Sequence, residues 1–333
     1  MLLNLFHKNY FTQISWIVVF AILFAIPDFV QQTGENWSTN TLFLKLSCLH
    51  PWLKIHWVYQ IIQFLILLSI AFFTKNFLTS HQLVHHSNFL PALLIIALVG
   101  FHQLFDFQLL ISINLLFMVF YYSFILQSFD DEKPDNTIFS ASFFMGLSTL
   151  ISYNNGAFLI LIWISFILFQ NYSWRYIPIT IVGLVVPYLF LLTYLFWTDQ
   201  MNLIHLEWEA LQNYSYQLPQ LKDLFSIIIF SILGFLIFIS LSKIIPETSS
   251  KIIAIRKKVS FSLWFLLISI IVMLFSNEPI VKNIFLLPLS GLLGYYLRIV
   301  KVRRRMIDFI FSLFIMFLLF QKYYQAYAPV LIN

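Results

Sequence analysis

An acid at the edge of an apolar run is the first residue in this chain equipped for chemistry. Asp28 follows Pro27 in Ala25-Ile26-Pro27-Asp28-Phe29-Val30, where a hydrophobic stretch ends. A charged carboxylate costs about 2–3 kcal/mol at a bilayer centre and less near its surface. Asp28 therefore either wets a helix end at headgroup depth or is held there as a general base or a ligand for phosphate or metal. Glu35 is the next acid along the same connection. Asp106 stands four residues after His102, a spacing that pairs two side chains on one face of a helical turn. The plainer reading is that both wet a hairpin tip. Asp199, His205, Glu207 and Glu209 make a third acidic group, which could bind a divalent cation or share a proton. Carboxylates two residues apart do not share a helical face, which favours solvated loop charges.

Other groups carry weaker signals. His81 and His85 share a face at helical spacing, with His86 beside them, but no carboxylate or cysteine stands near them in sequence to complete a metal site. Asp130-Asp131-Glu132-Lys133-Pro134-Asp135 lacks the glycine a calcium loop needs and reads as a solvated connector. The basic run from Arg298 to Arg305 suits topology and anionic headgroups. Arg175, between Trp174 and Tyr176, reads as an interfacial anchor with phosphate recognition as an alternative. Phosphate-binding glycine loops, HExxH, GxSxG and CxxC are all missing, so ATPase, dehydrogenase, zinc protease and lipase chemistry lack support. No resident cofactor is expected beyond that divalent cation.

The elements that must position these residues are apolar. Hydrophobic residues make up 60 % of the 333 and charged residues 10 %, whereas a soluble fold needs charge at about a quarter of its positions. Stretches near bilayer-spanning length recur at 12–30, 57–74, 89–104, 108–127, 137–152, 156–170, 176–197, 225–242, 261–275, 283–297 and 306–323. Strict alternation is missing from Ile177 to Trp197 and from Leu224 to Leu241, which argues against a β-barrel. The expectation is an all-α, polytopic transmembrane bundle of about 11 helices, a single domain over 1–333. Outer loops at about 31–56 and 198–224 would carry interfacial helices, with Trp52 and Trp57 at headgroup depth. The first apolar run has no small-residue cleavage site and reads as a retained helix. Cys48 is the one cysteine, so no internal disulfide forms.

Orientation follows from the cations. With the N-terminus inside, inner segments hold 14 of the 19 Lys and Arg, and outer segments hold Lys45, Lys54, Lys222, Lys282 and Lys322. The positive-inside bias then puts the N-terminus in the cytoplasm and the C-terminus outside. It also accounts for the net charge of +5 without a nucleic-acid partner. Outer segments hold 8 of the 14 acids, and the two long outer loops could form or cover a cavity, so any active site opens outward.

Phe144-Met145-Gly146-Leu147-Ser148-Thr149-Leu150, Leu161-Ile162-Trp163-Ile164, Asn171-Tyr172-Ser173-Trp174-Arg175, Asn88-Phe89-Leu90-Pro91-Ala92 and Pro187-Tyr188-Leu189-Phe190 together resemble an uncharacterised family of polytopic inner-membrane proteins found in Bacteroidota. The likeness covers about residues 75–200 and carries no activity across. By architecture, a first helix, an acidic outer loop and a many-helix bundle also resemble the GT-C glycosyltransferases. That resemblance implies a polyprenyl-phosphate sugar as substrate and an essential acid in the first outer loop, matched here by Asp28 and next by Glu35. Lys45 and Lys54 would hold the lipid phosphate, with Asp106, His102, His205 and Glu207 as further site candidates. The chain departs from that pattern, since no paired acidic motif accompanies Asp28 and no large outer domain follows the bundle.

Three readings remain open. The first is a GT-C-like enzyme at the periplasmic face of the bacterial inner membrane, with membrane lipids around it. The second is a non-catalytic subunit of an envelope or secretion assembly, with protein partners. The third is a lipid or solute transporter, for which buried mid-span charges and internal repeats are wanting.

Overall fold

The computed structural model describes residues 10–30, 56–84, 89–99, 109–170, 173–201, 224–248, 251–276, 279–299 and 312–324. Among these residues the chain is helical and contains no strand. An apolar segment shielded from water can satisfy its backbone only through its own hydrogen bonds, which leaves the helix as the available form. The helices are α1 (Tyr10–Val30), α2 (His56–Ser80), α3 (Leu90–Val99), α4 (Leu109–Gln127) and α5 (Asp135–Ile151). A 3-10 segment, Tyr153–Leu159, leads into α6 (Ile160–Phe169), followed by α7 (Tyr176–Trp197), α8 (Leu224–Thr248) and α9 (Ile253–Phe275). A turn at Pro279–Lys282 and a 3-10 step at Asn283–Phe285 precede α10 (Leu286–Ile299), and α11 covers 312–324.

Each of the eleven apolar stretches thus overlaps a helix among the described residues. Five of them, α2, α4, α7, α8 and α9, contain stretches long and apolar enough to cross a membrane. Boundaries moved where charge had suggested an end. α2 runs on to Ser80 and takes Lys75 into the helix, its Nζ 4.4 Å from the centroid of the Phe89 ring. α9 starts at Ile253, eight residues before the apolar stretch, so Arg256, Lys257 and Lys258 are helical. Lysine and arginine are good helix formers with apolar stems, so hydropathy falls at these positions while the hydrogen-bond ladder continues.

Helix ends are set by local geometry. α2 stops because Gln82 adopts a left-handed φ of 59°. The Leu83 amide then donates to the Leu78 carbonyl at 3.0 Å and the Gln82 amide to that of Thr79 at 3.1 Å, which closes the last turn. Asp199 (φ 52°) ends α7 likewise, with the Gln200 amide donating to Leu195 at 2.9 Å.

All ten residues of α3 are buried, and the helix packs among α1, α2 and α10. The closest crossing joins α5 to α7. A Cβ placed on Gly146 would lie 2.7 Å from the Leu184 carbonyl oxygen, and one on Gly183 would lie 2.8 Å from that of Phe139. Two glycines facing opposite backbones let the helices approach closely, which is how helices associate where lipid removes the hydrophobic drive between them. By contrast α7 and α8 turn much apolar surface outward, with Phe190 70 %, Phe196 73 % and Phe238 72 % exposed.

Side-chain contacts pair the helix ends. Arg175 bonds Asp135 at 2.9 Å and Lys257 bonds Gln170 at 3.0 Å, bringing together the starts of α5, α7 and α9 and the end of α6. At the other end the Leu109 amide donates to the Tyr59 hydroxyl at 3.0 Å, joining the starts of α2 and α4. Asn154 donates to Ser276 at 3.1 Å, joining the α5–α6 turn to the residue after α9.

Candidate functional site

Of the acids singled out for chemistry, the structure gives a place to Asp28, in the last turn of α1 immediately after Pro27, and to Asp199, which ends α7. Glu35, Lys45, Lys54, His102, Asp106, His205 and Glu207 lie outside the described residues, as do Glu209, His85, His86 and positions 301–305. What the fold assembles among the described residues is two buried polar clusters, one at each end of the bundle.

The cluster at the Tyr59–Leu109 end is built from amides and a hydroxyl. Asn114 sits just inside the start of α4, Ser148 in the last turn of α5, and Asn155 in the 3-10 segment that follows. Ser152, at φ −146° and ψ 120°, breaks the helix and folds Asn155 back onto it. All three side chains have no solvent exposure. The Ser148 hydroxyl donates to Asn114 Oδ1 at 2.7 Å. Asn155 Nδ2 lies 2.9 Å from each of Asn114 Oδ1, the Ser148 carbonyl and Ser148 Oγ, so two amide hydrogens are shared among three acceptors. Asn114 Nδ2 in turn faces the Ile280 carbonyl at 3.5 Å.

None of these groups titrates near neutral pH, so the cluster cannot supply a general base. It ties α4, α5 and the approach to α10 together beneath the end that receives the 31–55 and 100–108 connections. Asn155→Leu is expected to destabilise the protein by about 1–3 kcal/mol, because Ser148 and Asn114 keep their burial and lose their donor. Ser148→Ala should cost about half as much. Thermal unfolding in detergent measures both.

The opposite cluster is ionic. Lys258, in the second turn of α9 and 5 % exposed, places its Nζ 2.7 Å from each carboxylate oxygen of Asp130. His81, at the end of α2 and 7 % exposed, lies with Nδ1 3.1 Å from Asp130 Oδ2 and 3.3 Å from Lys258 Nζ. The carboxylate accepts, so the arrangement that satisfies it carries the proton on Nδ1, which donates to Asp130. Burial, then the Lys258 ammonium, holds the His81 pKa below its ordinary value, against the opposing pull of Asp130. Phe129 lines the cluster, with the Lys258 ammonium 5.4 Å and that of Lys257 5.7 Å from the centroid of its ring.

This cluster corrects the sequence reading at two points. Asp130 is an ion-pair partner of a buried lysine as well as part of a connector. His81 does have a carboxylate beside it, brought from 49 residues away. Separately, Arg175, read as an interfacial anchor, also pairs with Asp135 at 2.9 Å. Among the described residues no three His, Cys, Asp or Glu side chains are grouped to hold a metal ion. The missed signal was a lysine at the start of an apolar stretch, which reads as a topological marker until a partner folds onto it.

No protein-family model, curated protein or solved structure matches the chain.

Proposed function

We propose that this is a multi-pass protein of the bacterial inner membrane that acts at its outer face on a lipid-linked, phosphate-bearing sugar, in the manner of the GT-C glycosyltransferases. The observation that supports this reading is the hydrogen bond between the Leu109 amide and the Tyr59 hydroxyl, 3.0 Å. It sets the starts of α2 and α4 side by side. The connection that carries Glu35, Lys45 and Lys54 and the one that carries His102 and Asp106 therefore enter the bundle at one place. In an up-and-down bundle Asp28, at the end of α1, belongs to that same end. Carboxylates would take the proton of an acceptor hydroxyl, and the lysines would hold the lipid phosphate.

The test is transfer of sugar from a radiolabelled polyprenyl-phosphate donor by the purified full chain in native lipid. Asp28→Asn is expected to lower turnover by about 10²–10⁴-fold while the protein still accumulates in the membrane. Full activity in that variant would remove Asp28 from the mechanism. No transfer by the unaltered chain would remove the enzyme reading. A second reading, a non-catalytic subunit of an envelope or secretion assembly, is favoured by the outward apolar faces of α7 and α8. It predicts partner subunits that copurify in fixed ratio and tolerance of Asp28→Asn.

A further inference from the structure

The last described helix carries a buried cation that the function just proposed does not use. α11 buries one stripe, Phe314, Ile315, Leu318, Gln321 and Lys322, at the three- and four-residue spacing of a single helical face. The first three belong to the apolar core. Lys322 is 4 % exposed, so protein encloses its ammonium, and a buried ammonium is tolerable only beside an anion.

The contact between α11 and α1 points to that anion. Pro27 lies inside α1 and has no N–H to give the Leu23 carbonyl four residues earlier. The Tyr323 hydroxyl donates to that carbonyl instead, at 2.9 Å. A gap in the hydrogen-bond ladder of α1 is thus the seat of the last turn of α11, and the residue after Pro27 is Asp28. Side chains lean toward the N-terminus of their own helix. With α1 and α11 parallel, as the first and eleventh members of an up-and-down bundle are, the backbone at 322–323 lies beyond the Leu23 carbonyl, at the level of Pro27 and Asp28. The register of α1 agrees. Its buried stripe runs Gln13, Ile17, Ala21 and Phe24, and the next position at that spacing is 28. Charge leaves few alternatives, because α1, its neighbours α2 and α3, and residues 312–324 hold one acid among them, Asp28.

We propose that Lys322 is the counter-charge of Asp28, seated by the bond from Tyr323 to α1, and that it positions Asp28 as the base of the outer site. The catalytic half of this inference rests on the glycosyl-transfer reading; the pairing does not. A carboxylate accepts a proton only while it is ionised, and an adjacent ammonium favours that form where apolar surroundings oppose it. The proton of the acceptor hydroxyl goes to Asp28, and Lys322 takes none. Lys322 acts through Asp28, unlike Lys45 and Lys54, whose proposed ligand is the lipid phosphate.

The experiment compares the unaltered full chain in native lipid with Asp28→Asn, Lys322→Met and the two together. Asp28→Asn strands the ammonium and should lower the apparent melting temperature by about 5 °C. Adding Lys322→Met should return most of that fall, because an apolar stem replaces the stranded charge. Where Asp28→Asn alone does not accumulate, accumulation of the double variant is the same result. In the transfer assay Lys322→Met should lower kcat with the KM for the donor unchanged, and should lower nothing further in the Asp28→Asn background. A double variant no more stable than Asp28→Asn overturns the pairing. A KM that rises while kcat holds overturns the positioning role and assigns Lys322 to the phosphate. An unaltered chain that transfers nothing removes the transfer reading, and the melting temperatures then decide the pairing by themselves.

Discussion

Gly146→Leu is expected to abolish the native packing of α5 against α7, at a cost of more than about 3 kcal/mol, and Gly183→Leu should do the same from the other side. Even a methyl group at Gly146 would sit 2.7 Å from the Leu184 carbonyl oxygen and 3.0 Å from Pro187 Cγ. At Gly183 it would meet the Phe139 carbonyl oxygen and Ser142 Cβ, both at 2.8 Å. Each glycine faces a backbone carbonyl oxygen, and the Pro187 ring and Ser142 Cβ beside them cannot swing away either, so no rotamer change relieves the clash and the helices must separate. Alanine gains up to about 1 kcal/mol of helix propensity over glycine, which softens the Ala variants without reversing them. Separation would also break the Tyr188–Thr149 hydrogen bond of 2.9 Å across the same interface. Loss of monodisperse protein in detergent, with normal synthesis, is the measurement. By comparison Gly156 and Gly234 have nothing within 4 Å of an added Cβ, so alanine there should cost nothing, and at Gly234, inside α8, it should gain helix propensity.

Asp130→Asn comes next in size. Removing one partner of a buried pair leaves an uncompensated charge and costs about 3–5 kcal/mol. Asp130 is half exposed and Lys258 lies near a helix end, so water reaches part of the site and about 2–3 kcal/mol is expected. Lys258→Met should cost less than Asp130→Asn, because the apolar stem is replaced in kind and the carboxylate left behind can turn to solvent. Combining the two should recover most of the loss, since replacing a buried pair by apolar groups is often neutral or better. Apparent melting temperatures of the three variants at pH 7.5 close this cycle. Equal losses in the single and double variants would show that Asp130 acts through its connection rather than through Lys258.

The eleven helical stretches and their apolar character were legible from composition and run length, because a segment of about twenty apolar residues has few other ways to satisfy its backbone. The 3-10 turn at Tyr153–Leu159 was legible in part from Asn155-Gly156. Lengths were less so, as α2 and α9 show, since charge interrupts hydropathy without interrupting a helix. The acids and histidines were legible only as residue types at or between helix ends, and of these the described residues include Asp28, His81 and Asp199.

Partnership required the tertiary structure. His81 and Asp130 are 49 residues apart, Asp130 and Lys258 are 128 apart, and Asn114 and Asn155 are 41 apart. No periodicity encodes such separations. Lys258 reads as a topology charge until α9 is packed against the α4–α5 connection, and Asn155 reads as a turn residue until Ser152 folds it onto Ser148. Composition and run length were enough to specify apolar helices with acids at and between their ends. Which polar side chains are buried together was decided by how those helices cross, because a buried charge or amide is tolerable only where the crossing supplies its partner.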